Sequence, residues 1–124
     1  MEQNDKYDIK LRWGLSLKKI LDTNKMLNEE KKKNTGKRDK SIIDSFGKLE
    51  KESEITKSTL VNIVQGKINA ATTTWAAILE ALGLSLSKFA LIHDGLTPDE
   101  INQHKSAIKV KKKNTATKNS KKKK

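Results

Sequence analysis

Cysteine is absent from this 124-residue chain, so disulfides, thiolate chemistry and cysteine-ligated zinc are excluded. Proline occurs once, at Pro98, and aromatic residues make up only 4%: Tyr7, Trp13, Phe46, Trp75 and Phe89. No apolar run approaches the ~20 residues that span a bilayer, and the opening Met-Glu-Gln-Asn-Asp-Lys lacks the apolar core of a signal peptide. A cytoplasmic protein with no membrane partner is the expectation. His93 and His104 stand alone, outside any metal-spaced cluster. Gly66-Lys67 lacks the upstream glycine of a phosphate-binding loop. No nucleophile and base can be paired along the chain. Neither an enzyme, a cofactor nor a metal is therefore expected.

Acids are scarce where the positive charge sits. The net charge is +12, with hydrophobic and charged residues at 34% each. Residues 105–124 hold ten lysines and no acid. Residues 31–40 (Lys-Lys-Lys-Asn-Thr-Gly-Lys-Arg-Asp-Lys) hold six basic groups and one acid. Residues 41–104, in contrast, have five basic and eight acidic groups. The presumed folded centre is thus mildly acidic, and cationic segments are appended to it. Lysine runs often serve only solubility. Two runs with almost no acid between them point instead to a polyanion.

The apolar residues recur at helical spacing throughout, with no alternating strand pattern. A first helix is predicted from Leu15 to about Lys32, with Leu17, Ile20, Leu21 and Leu27 inward and Trp13 packing at its start. Asn34-Thr35-Gly36 breaks it. A second helix, capped by Ser41 or Ser45, takes its contacts from Ile42, Ile43, Phe46 and Leu49. The third occupies the stretch after Thr56. A fourth presents Trp75, Ile78, Leu79 and Leu82 and ends at Gly83. Ser85 caps a fifth, with Leu86, Phe89, Ala90 and Ile92 inward. Thr97-Pro98-Asp99-Glu100 is a capping-box start for a sixth, whose thin face of Ile101 and Ile108 should fray. Phe89, Ile92, Leu96 and Ile101 are either a self-association patch or part of the core. The expected fold is all-α, a compact five- to six-helix bundle. Residues 1–14 are read as an arm, 15–104 as the domain with a basic insert at 31–40, and 105–124 as a lysine-rich tail, disordered from about Lys111.

The most informative stretch is Thr56 to Lys67, Thr-Lys-Ser-Thr-Leu-Val-Asn-Ile-Val-Gln-Gly-Lys. Thr56 is a helix cap, and Leu60, Ile63 and Val64 share one buried stripe. Lys57, Ser58, Val61, Asn62 and Gln65 face the other way. That face is short, polar and free of acids, as a helix entering a major groove requires. With a short helix before it and a tight turn at Ile55-Thr56, residues 45–89 resemble the lambda-repressor-like (Xre/Cro) helix-turn-helix domain. Ser58-Thr59-Leu60, Ile63, Gly66-Lys67 and Gly83-Leu84-Ser85-Leu86-Ser87-Lys88-Phe89 carry the resemblance. Two positions depart from it. Glu50 stands where the family has a small residue at a helix crossing. Glu54 stands where it has glycine, which asks for a left-handed backbone at a residue with a Cβ.

The resemblance implies a small prokaryotic transcriptional regulator, associated with the nucleoid, whose residues 56–66 read double-stranded DNA. Lys57, Ser58, Val61 and Asn62 would read bases. Ser45, Thr56, Gln65, Lys67 and Asn69 would meet phosphates, joined by Lys37 and Arg38 of the basic insert. A homodimer on a two-fold site is the expected assembly. Rival readings are the DNA-binding antitoxin of a toxin–antitoxin pair, with a toxin partner, and a nonspecific RNA- or nucleoid-binding accessory protein. The chain has 25 lysines and two arginines, Arg12 and Arg38, so strong salt-dependent attachment is expected to outweigh discrimination. With about 6–10 phosphates neutralised, affinity for duplex DNA should fall roughly 10³–10⁵-fold between 50 and 200 mM salt. A shallow salt slope, unchanged by deletion of residues 111–124, would count against a role for the tail.

Overall fold

Apolar side chains at i, i+3 and i+4 wind this chain into six helices among the described residues, with no β-strand among them. The computed structural model describes residues 3–108, with side chains from Tyr7 onward. The lysine-rich tail expected to be disordered from Lys111 lies outside that range. Helix α1 spans Gln3–Thr35, α2 Phe46–Ser53, α3 Lys57–Val64, α4 Thr72–Leu82 and α5 Leu86–Asp94; α6 covers residues 98–108. The expected arm at 1–14 is corrected by α1, whose helix begins at Gln3. Residues 105–108, assigned in sequence to the tail, are the last turn of α6.

The core draws on every one of the first five helices. Leu17, Ile20 and Leu21 of α1 meet Leu49 of α2, Leu60, Ile63 and Val64 of α3, Trp75, Ile78 and Leu79 of α4, and Phe89 of α5. Each such side chain, fully buried, stabilises the fold by about 1.5–3 kcal/mol. Trp13, Trp75 and Phe89 form an aromatic triangle with ring centroids 5.1–5.3 Å apart. Phe89 and Leu96 are buried, and Ile92 and Ile101 are partly buried. Of these four, Phe89 belongs to the core and Ile92 packs against it. No single helix among the described residues is long and apolar enough to cross a membrane. The apolar pair α4 and α5 is bent by 99° between its members. Trp75, Ile78, Leu79 and Phe89 are buried, whereas Leu86 and Ala90, expected inward, are exposed, as is Leu91.

Helix ends follow the local chemistry. Ser45, Thr56 and Ser85 each accept a hydrogen bond from the amide three residues on. Thr97 and Glu100 exchange the two bonds of a capping box, 3.1 and 3.2 Å long. Gly66 and Gly83 lie at φ of +69° and +65°. After each, a six-residue amide-to-carbonyl bond closes the helix: Lys67 to Asn62 and Leu84 to Leu79, both 2.9 Å.

Leu27 departs from expectation: it is 48% exposed. The inward stripe of α1 runs instead from Leu21 through Asn24 to Asn28, where it faces loop backbone and takes polar residues. A close helix approach falls at Gly14 of α1, against the end of α3. A Cβ there would run into the Ile63 carbonyl oxygen and lie 2.8 Å from Val64 Cα. Glu50 stands on α2 beside the start of α3. It is exposed, and its carboxylate accepts from the Lys57 amide at 2.7 Å, adding a second acceptor to the start of α3.

Glu54 adopts the left-handed conformation its position asks for, at φ 63° and ψ 16°, and closes α2. A left-handed residue with a Cβ costs roughly 1–2 kcal/mol, against about 0.5–1 kcal/mol for the extra chain entropy of glycine. Glu54→Gly should therefore stabilise the chain by about 0.5–1 kcal/mol, seen as a higher midpoint of thermal unfolding. A lower midpoint would contradict this account of the turn.

Candidate nucleic-acid interface

α3 is oriented by its buried stripe. Leu60, Ile63 and Val64 face inward, and Lys57 and Ser58 of its first turn are exposed. Asn62 and Gln65 are partly buried. So is Val61, which the sequence placed on the open face. The reason is α6, which was expected to fray. Its His104 is buried and its ring Nε2 lies 2.7 Å from the Val64 carbonyl oxygen, so Nε2 carries the proton and donates. Ile108 is also buried. Ion pairs Lys19–Glu100, 2.8 Å, and Lys105–Asp8, 2.6 Å, tie the same helix to α1. α6 thereby lies along one side of α3.

Between them runs a groove of about 680 Å³. Lys57, Val61 and Gln65 line it from α3, Ser45, Phe46 and Gly47 from the start of α2, and Ala107 and Ile108 from α6. Lys18, Asp22 and Lys25 of α1 complete the wall. Lys18 is paired with Asp22 at 2.7 Å. Asp44 lines it too, paired with Lys48 at 2.9 Å. Lys25 and Lys57 have no ion pair among the described residues, so three lysines stand against two aspartates in the lining. Of the expected site residues, Ser45, Lys57, Val61 and Gln65 thus come together. Ser58 and Asn62 fall about 100° further round α3 and do not line this groove.

The remaining site residues are dispersed. Lys67 and Asn69 are exposed on the loop leaving α3. Asn69 borders a separate apolar groove with Trp13, Ile68, Trp75 and Leu86. The hydroxyls of Ser45 and Thr56 are engaged as caps, Thr56 also sharing a 2.8 Å bond with the Thr59 hydroxyl. Three of the first-turn amides are engaged as well: Lys48 N donates to Ser45 Oγ, Lys57 N to the Glu50 carboxylate and Thr59 N to Thr56 Oγ1. Lys37 and Arg38 are exposed beyond the end of α1.

The segment that carries them is ordered by a polar ladder. Asn24, Asn28 and Lys31, at i, i+4 and i+7 on α1, bind the residues after the basic run. Asn24 Nδ2 donates to the Ile43 carbonyl at 2.8 Å. Asn28, fully buried, donates from Nδ2 to the Asp39 carbonyl at 3.1 Å and to Asp44 Oδ2 at 2.8 Å, and its Oδ1 accepts from the Asp39 amide at 2.6 Å. Lys31 pairs with the Asp39 carboxylate at 2.8 Å. Sequence reading missed Gly14, Asn28 and His104. The spacing of Asn24, Asn28 and Lys31 was the signal available for the ladder.

The ladder shifts its carboxyls. Lys31 above all, then the Ser41 hydroxyl and amide, hold Asp39 well below the usual carboxylate range. At Asp44 burial pushes upward, but hydrogen bonds from Asn28 and Lys48 outweigh it and the net shift is down. Glu100 is lowered by Lys19 and by the Thr97 amide. Comparison of the chain with protein-family models, curated proteins and solved structures finds no match.

Because Asp39 and Asp44 are depressed in the folded chain, the stability they contribute is present above the ordinary aspartate pKa of about 4 and is lost as pH falls below it. Asp39→Asn should therefore flatten the decline of the thermal midpoint between about pH 5 and about pH 2.5. An acid limb as steep as that of the wild type would remove Asp39 from the ladder's energetics.

Proposed function

We propose that this chain binds double-stranded DNA sequence-specifically as a small prokaryotic transcriptional regulator. In this reading α2 and α3 form a helix-turn-helix of the lambda-repressor-like kind, and α3 enters the major groove. The observation that carries it is the exposed first turn of α3, with Lys57 and Ser58 open to solvent, set beside the capped start of α2. Lys25 and Lys57, without ion pairs among the described residues, give the adjoining groove a small excess of positive charge over Asp22 and Asp44. A chain of net charge +12 supplies the wider attraction to phosphate.

Lys57 donates to guanine O6 and N7, and Asn62 pairs with an adenine edge. Ser58 makes a contact compatible with several bases. Val61, half-buried beside α6, contributes less than an open position would. Lys67, Asn69 and the remaining first-turn amides of α2 hold phosphates, with Lys37 and Arg38 adding charge further along. The protein binds as a homodimer on a two-fold site, its half-sites about one duplex turn apart.

Selection of bound genomic fragments, followed by titration of the selected site, tests the reading. Lys57→Ala and Asn62→Ala should each weaken that site by about 1–3 kcal/mol while leaving an unrelated duplex nearly unaffected. Equal losses on all sequences would move the reading to a nonspecific nucleoid protein, and tighter binding of structured RNA to an RNA accessory protein. A co-transcribed toxin gene would make the same domain an antitoxin.

A further inference from the structure

Lys32, Lys33, Lys37, Arg38 and Lys40 are all exposed or partly exposed, and none has an ion pair among the described residues. Crowding five cations at one end of a body whose residues 41–104 are net acidic is unfavourable, and a flexible loop would let them spread. They are instead held. The Thr35 hydroxyl donates to the Lys31 carbonyl at 2.7 Å, and the Gly36 amide bonds the Lys32 carbonyl at 2.8 Å, folding the chain sharply over the end of α1. Three residues later Asn28 takes both backbone groups of Asp39 and passes the connection to Asp44. Asp44 immediately precedes Ser45, the cap of α2. A buried asparagine therefore links the cationic end of α1 to the start of α2, which borders α3. The favourable interaction of cations with a helix C-terminus fades beyond the last turn, so it accounts for Lys32 and Lys33 but not for Lys37, Arg38 and Lys40.

We propose that the end of α1 and the turn after it form a preorganised second contact with the phosphate backbone of the duplex, outside the stretch α3 reads, and that Asn28 is the positioning residue that holds it in register. The inference rests on the DNA-binding reading above. From Gly14, where α3 crosses, to Lys33 α1 rises about 28 Å, most of the ~34 Å of one duplex turn. The second contact thus reaches phosphates that an eight-residue α3 cannot. Ordering it in advance removes the entropy loss a floppy basic loop would suffer on binding.

The test measures the affinity of the full chain for its selected duplex from 50 to 200 mM salt, with and without Lys32→Gln, Lys33→Gln, Lys37→Gln and Arg38→Gln together. With about three to four phosphates no longer neutralised, the slope of log affinity against log salt should become shallower by about 3. Asn28→Ala is then measured in both backgrounds. It should weaken the wild type several-fold and leave the neutralised variant unchanged within about twofold, the coupling expected of residues that act through one another. If Asn28→Ala is unfolded by circular dichroism at the assay temperature, Asn24→Ala, which removes one outlying bond of the same ladder, replaces it. A slope altered by less than about one unit overturns the second contact, and equal weakening in both backgrounds overturns the positioning role. A wild type that binds no duplex at any salt overturns the DNA-binding reading and this inference with it.

Discussion

The back of α3 rests on α1 at Gly14, and what α3 can present to solvent depends on that contact. Because a Cβ at this position would meet Ile63 and Val64 backbone, the two helices approach at main-chain distance. This close seating lets Leu60, Ile63 and Val64 reach a core shared with Leu17 and Leu21. It also brings the end of α3 to α6, where the Val64 carbonyl receives the His104 proton donor. A carbonyl otherwise orphaned at a helix end is thereby satisfied inside the fold.

Two polar attachments then shape the surface around α3. On one side the ladder of Asn24, Asn28 and Lys31 ties the loop before α2 to α1, so the capped start of α2 cannot drift from α3. On the other, His104 and the Lys19–Glu100 and Lys105–Asp8 pairs seat α6. The exposed ion pairs contribute little individually. The buried bonds of Asn28 and His104 matter more, since losing either partner strands a buried polar group. The charge is distributed accordingly: residues 41–104, which hold α3, are mildly acidic, and the cations of residues 31–40 stand at the end of α1.

Much of this was legible in the chain because it depends on near neighbours. Thr56, Ser45 and Ser85 cap, Gly66 and Gly83 close helices, and Thr97 and Glu100 form their box, all by bonds spanning a few residues. The left-handed backbone at Glu54 was expected through the family resemblance, which places glycine there. Leu27 and Val61 could not be placed, because each depends on what lies opposite. Leu27 faces outward since the loop after α1 docks on Asn24 and Asn28. Val61 is half-buried because α6 returns across some forty residues to lie against α3. For the candidate site, the identity of α3 and its polar residues could be read, but the groove that gathers Ser45, Lys57, Val61 and Gln65 and leaves Ser58 and Asn62 outside it could not.

Residue order alone specified an all-α chain of five to six helices with most of their caps and stops, an α3 without acidic residues, and positive charge concentrated in residues 31–40 and 105–124, since periodicity, capping and charge are local properties. Packing in three dimensions made α1 continuous from Gln3, put the helix crossing at Gly14, ordered the basic turn through Asn28, and walled one side of α3 with α6. Those outcomes come from contacts between residues far apart in the chain, whose geometry no local pattern encodes.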